Sequence, residues 1–137
     1  MHTQHFKPNE FNCKCCGRGN ASAALLIVME DLRRHFGVPF TPNSASRCKL
    51  HHAEIYHELS AKAGKTIKPP EHSDHLIENI NGNEIECNGA DIAIPGVSAA
   101  DVYKYLDNCA YSDILALGRY RSFTHVGIRG YRARWKG

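Results

Sequence analysis

Three side chains in this 137-residue sequence are of the types that hold a catalytic metal: His75, Asp91 and His125. His75 and Asp91 flank Asn81-Gly82, a dipeptide that marks a two-residue hairpin because both residues tolerate the positive φ of a type I′ turn. Folding the segment 73–95 about that dipeptide sets Ile80 against Asn83, Ile77 against Glu86 and His75 against Asn88, so His75 and Asp91 could share one ion. His125, in Ser-Phe-Thr-His-Val, is a third candidate donor. Two imidazoles and a carboxylate, with a fourth position left for water, form the donor set of a catalytic zinc site.

These donors depend on the elements that carry them. Ala21–Phe36 reads as a helix, with Leu25, Val28, Met29, Leu32 and Phe36 on one face, Asn20 able to cap it and Gly37 where it stops. Val38–Phe40 reads as a short strand, and Asn43–Cys48 as a turn carrying Arg47, which could serve either a surface salt bridge or a substrate. A second helix spans Leu50–Ala63 and closes at Gly64. Its His51, His52 and His57 read as a solvated face, and His57-Glu58 does not open an HExxH motif because position 61 is alanine. Lys65–Pro70 reads as a linker. Ala90–Ile94 is an apolar strand that runs out at Pro95-Gly96, and an aspartate inside it is costly to bury unless paired or metal-bound. Ser98-Ala-Ala-Asp101 opens a third helix to about Cys109, while 114–117 and 123–128 read as antiparallel strands. Residues 1–20 read as an irregular arm packed through Phe6 and Phe11, and the tail 129–135 as packing plus a solvated basic edge. The order of elements predicts one α+β domain over 1–137, with about three helices and a small antiparallel sheet.

Composition narrows the function classes. Charged residues make up 23% and hydrophobic residues 42%, ordinary for a globular chain. A net charge of +3 suits an anionic polymer such as a cell wall but is too weak to argue for nucleic acid. No apolar run approaches the about 20 residues of a membrane span, and the N-terminus lacks the pattern of a secretory signal. Without a signal, the six cysteines read as buried or free thiols rather than a disulfide framework. Cys13-Lys14-Cys15-Cys16 looks like half of a zinc knuckle, and a bond from it to Cys48 is an option outside the cytoplasm.

Three motifs stand in order: Ser44-Ala-Ser-Arg47; Ser73-Asp-His75 with Gly89-Ala-Asp91-Ile92; and Tyr120-Arg-Ser-Phe-Thr-His125-Val with Arg129-Gly and Ala133-Arg-Trp135. With Phe11-Asn-Cys13-Lys-Cys15-Cys16-Gly17 ahead of them, they resemble the zinc D-alanyl-D-alanine carboxypeptidase family, which has the hedgehog/DD-peptidase fold, and most closely its small phage endolysin-type members. The resemblance runs from about Phe11 to Trp135. It implies a Zn2+-dependent peptidase cutting bonds of D-amino acids in peptidoglycan stem peptides, with His75, Asp91 and His125 as ligands, Arg47 as the substrate-carboxylate clamp and Ser44 shaping that turn. It further implies a phage lysis protein, held in the host cytoplasm before release to the wall or carried with virion or tail proteins.

The sequence departs from the family pattern twice. The family places its histidine seven residues before the aspartate, where this chain has Glu84, so Glu84 or His72 could replace His75 as ligand. The family's closing His-x-Asp reads His125-Val126-Gly127, which removes an acid expected to act as general base or to orient the ligand. Asp74, Glu84, Glu86 and Asp113 are the candidates to replace it. One alternative is an inactive domain of the same fold serving as a structural or wall-binding part of a virion. Another is a thiol-zinc module built on Cys13, Cys15 and Cys16.

Overall fold

The computed structural model describes residues 4–68, 73–78 and 84–137. The Asn81-Gly82 turn, His72 and the Pro69-Pro70 end of the linker lie outside the described residues. The architecture is α+β: helices α1 (Ala23–Phe36), α2 (Lys49–Ala63) and α3 (Ala99–Asn108), and strands β1 (Gly89–Ile92), β2 (Leu115–Arg119), β3 (Thr124–Ile128) and β4 (Ala133–Lys136). The sheet order is β1-β3-β2-β4. β3 runs antiparallel to both β1 and β2, but β4 lies parallel to β2, so the sheet is mixed rather than purely antiparallel. The basic tail read as a solvated edge is therefore in part a fourth strand. Its entry turn uses Gly130 at φ 79°, a conformation glycine takes without a Cβ penalty.

Strand alternation sorts the two faces of the sheet. Ala90, Ile92, Val126, Leu115 and Leu117 are fully buried and join one core with Leu25, Leu26, Leu32, Val102 and Leu106 of α1 and α3. Asp91, His125 and Gly118 alternate with these and take the opposite face. Helix α1 begins at Ser22, whose Oγ accepts the Leu25 N–H, and not at Asn20. Residues 20–22 are kept extended by backbone bonds with Cys87 on both sides, which displaces the cap two residues onward. Gly37 stops the helix in the left-handed conformation, as expected. Ser98 caps α3 through the Asp101 N–H.

Three local expectations fail. Val38–Phe40 forms no strand; Phe40 instead packs its ring 5.3 Å from that of Phe6, in a cluster that includes Phe11. The helix α2 histidines are not all solvated, since His52 is buried edge-on against Tyr56. The hairpin register also differs by one residue. Glu78 pairs with Glu84, and the Asn88 N–H donates to the Asp74 carbonyl, so Ile77 does not face Glu86 nor His75 face Asn88. Among the described residues, no helix is long and apolar enough to cross a membrane.

Candidate metal centre

The antiparallel register places Asp91 directly opposite His125, and a cross-strand pair presents its side chains on the same face. His75 reaches them from a turn outside the sheet. The segment 43–47 fixes that turn to β1. Asn43 and Ser44 exchange backbone bonds with Asp91, while Arg47 receives Ile77 N–H at its carbonyl and donates its own N–H to the His75 carbonyl. One short stretch thus ties the backbones of two donor residues together.

The side chains converge. His125 Nδ1 is 2.9 Å from Asp91 Oδ1, and His75 Nε2 is 3.3 Å from the same oxygen. The two imidazole centroids are 4.9 Å apart. His75 Nδ1 lies 2.7 Å from the Ala45 carbonyl, which can only accept, so Nδ1 carries the proton. Burial pushes the His75 pKa down, with the Asp91 bond only opposing this, and a neutral ring then turns its Nε2 lone pair toward a carboxylate oxygen. Two lone pairs facing each other repel unless a cation lies between them. This is the observation that fits a metal ion to the three residues.

His125 is held at its other nitrogen. Nε2 lies 3.0 Å from Asp74 Oδ2, and Arg129 Nε donates to Asp74 Oδ1 at 3.1 Å. Burial alone would raise the Asp74 pKa, but the His125 and Arg129 bonds outweigh it and hold the carboxyl below its ordinary value. For Asp91 the two histidines overcome burial in the same way and hold it well below the carboxylate range. Burial lowers the His125 pKa, and bonds to Asp74 and Asp91 more than reverse this. A carboxylate on one nitrogen of a histidine, leaving the other for metal, is the usual outer support of a metal-bound imidazole.

Asp74 has room because residue 127 has no side chain. A Cβ on Gly127 would lie 2.2 Å from Asp74 Oδ2, and one on Gly89 would lie 2.5 Å from Asp74 Cβ. Gly89 and Gly127 are cross-strand partners two residues along from Asp91 and His125, so together they form a hollow on the site face. The Asp74 carboxylate fills it. A carboxylate thus reaches His125 from a turn 51 residues away in sequence.

Arg47 sits at the edge of the trio. Its Nε and Nη2 donate to Ser44 Oγ at 3.2 and 3.1 Å, and Nη2 is 3.5 Å from Asp91 Oδ2. The site opens into a cleft of about 570 Å³ lined also by Tyr56, Leu59, Tyr120, Phe123 and Trp135. The Tyr120 and Phe123 rings stack at 4.4 Å, and Trp135 lies 5.3 Å from the His125 ring. Gly118, between His125 and Trp135 across the sheet, makes room for that indole; its Cβ would meet Trp135 Nε1 at 2.6 Å.

The structure therefore brings His75, Asp91, His125, Asp74, Arg47 and Ser44 together, and leaves Glu84, Glu86 and Asp113 apart. Glu84 and Glu86 are exposed, and Asp113 is exposed and paired with Arg132. The sequence reading missed Arg129 and Trp135 as parts of the site. Arg129 is legible afterwards, since it continues the alternation 125, 127, 129 on one strand face. Trp135 required knowing that β4 pairs with β2. Among the described residues, two groups of three donors could hold a metal ion: this one, and Cys13, Cys16 and Cys48. The chain matches no protein-family model, no curated protein and no solved structure.

Proposed function

We propose that the chain is a zinc-dependent peptidase of the D-alanyl-D-alanine carboxypeptidase kind, with the hedgehog/DD-peptidase fold, acting on peptidoglycan stem peptides. The carrying observation is the convergence of His75 Nε2, Asp91 and His125 Nδ1, each imidazole tied at its other nitrogen to a fixed acceptor. Zinc bound there would polarise the scissile carbonyl and lower the pKa of a bound water. Asp74 positions His125 and, with Arg129 on its other oxygen, stays ionised to do so. Arg47, braced by Ser44, offers a guanidinium at the cleft edge suited to a terminal carboxylate. The Tyr120–Phe123 stack supplies an apolar wall for the stem peptide. Release from a phage-infected cell to the wall, or carriage on a virion, follows the same resemblance.

The test is turnover of purified peptidoglycan, following release of D-alanine and of new amino groups with and without chelator. Chelator-sensitive release, restored by zinc and absent from His125→Ala, is expected. No release from folded protein with zinc bound would overturn the peptidase reading. One observation favours the alternative, an inactive wall-binding or virion domain of the same fold. Among the described residues, the only carboxylates lining the cleft are Asp74 and Asp91, and both are engaged. In that case the protein binds zinc and sediments with peptidoglycan but releases nothing.

A further inference from the structure

A second cluster of donors lies outside the cleft. The sulfurs of Cys13, Cys16 and Cys48 lie within 4.8 Å of one another, from two segments far apart in sequence, and all three cysteines are free. The first two belong to a tight turn, Cys13-Lys14-Cys15-Cys16-Gly17. The Gly17 N–H donates to the Cys13 carbonyl, the Cys13 N–H to the Arg18 carbonyl, and Gly17 takes φ 72° to close the loop. Cys48 comes from the other side as the N-cap of α2, and its sulfur accepts the His51 N–H at 3.4 Å. Its own N–H donates to the Cys13 sulfur, also at 3.4 Å. Burial alone would raise the Cys13 thiol, but backbone N–H groups, that of Cys48 foremost, outweigh it and bring it down to about 7, whereas burial pushes the Cys48 thiol up to about 11, so an ion bound there has to displace that proton.

We propose that Cys13, Cys16 and Cys48 bind one zinc ion as thiolates, at a site separate from the His75–Asp91–His125 centre. Three mutually close sulfurs are one too many for a disulfide and suit one face of a tetrahedral zinc site, with Zn–S distances of about 2.3 Å. Cys13 and Cys48 are buried and Cys16 is exposed, so the fourth corner opens to solvent on the Cys16 side, where water can fill it. Binding releases the thiol protons to solvent and joins the N-terminal arm to the start of α2. Cys48 follows Arg47 directly, so the same ion holds the base of the segment that ties His75 to β1.

The test uses the full chain, reduced and handled without oxygen, titrated with cobalt(II) and zinc. Two equivalents are expected. The cobalt form should show a sulfur-to-cobalt charge-transfer band in the near ultraviolet, which a centre of imidazoles and carboxylate cannot give. Cys48→Ser and Cys13→Ser should lose the band and one equivalent, while His125→Ala should keep the band and lose the other. If the buried variants fail to fold, Cys16→Ser at an exposed position should still weaken the band. Folded, fully reduced protein that takes up cobalt without the band overturns the proposal. Because the two centres are read by separate signals, loss of peptidase activity alone leaves this result unchanged.

Discussion

Replacing Gly127 with alanine adds one methyl group and should weaken metal binding at the proposed His75–Asp91–His125 centre from outside the donors themselves. The new Cβ would stand 2.2 Å from Asp74 Oδ2, 2.6 Å from Cγ and 3.1 Å from Cβ, so the carboxylate must leave its hollow. His125 Nε2 then loses its acceptor, and the ring is free to turn its Nδ1 away from Asp91. Losing such a support costs about 10–100-fold in metal affinity, equivalent to about 1.4–2.8 kcal/mol. Crowding adds its own penalty of about 1–3 kcal/mol to folding. Zinc affinity is measured by competition with a chromogenic chelator, alongside thermal unfolding of the metal-free protein. Asp74→Asn, which keeps the shape and an acceptor oxygen, should lose less affinity than Gly127→Ala. The double variant Gly127→Asp with Asp74→Gly returns a carboxylate to the hollow from the other side and should bind zinc more tightly than Gly127→Ala. Wild-type affinity in a folded Gly127→Ala protein would refute the reasoning, because His125 would then owe its orientation to something other than Asp74.

Other perturbations follow from the same contacts. Gly89→Ala should destabilise more than Gly127→Ala in urea unfolding, since its Cβ meets the Asp74 backbone carbon at 3.0 Å as well as the side chain. If peptidase activity is found, Arg47→Lys should raise KM for a substrate with a free terminal carboxylate by about 10-fold, because an ammonium cannot reproduce the guanidinium fork; an unchanged KM would remove Arg47 as the clamp. Tyr105 donates to Asp31 Oδ1 at 2.8 Å, and Tyr111 donates to the other oxygen. Burial, with Asp31 second, pushes the Tyr105 pKa up to about 12 and Tyr111 higher still. A raised folded pKa stabilises below the unfolded value, so the contribution of these two tyrosines to the unfolding free energy should be level below about pH 10 and fall as pH rises from about 10. Asp31→Asn should shift tyrosine ionisation, followed by absorbance, toward lower pH.

Much of the framework was legible because local chemistry decided it. The apolar stripe of α1, the Ser98–Asp101 cap and the two strands of the β2–β3 hairpin each rest on signals within a few residues. The close approach of Asp91 and His125 rests on β1 pairing with β3, which the apolar runs did not suggest; the sequence offered the two residues only as donor types. The hairpin register did not follow, because the segment 84–88 answers to two neighbours. It bonds Asp74 and Ile77 on one side and Asn20 and Ser22 on the other, and a favourable turn dipeptide does not fix that combination. Gly127 was least legible of all. In sequence it reads as a missing acid, and only the sheet shows it as half of the hollow that receives Asp74.

The way the segment 43–47 ties His75 to β1 bears on the order in which the molecule is built. The His75–Ala45 bond closes a loop of 30 residues, the Asp91–His125 pair one of 34, and the Asp74–His125 bond one of 51. None of these can form within a local element, and each loop costs chain entropy before any contact returns it. On that ground the donors are expected to come together late, once β3 has docked against β1. Metal uptake during refolding should then track completion of the sheet, lagging behind helix formation, and a chain stalled before β3 would present no imidazole pair to the ion.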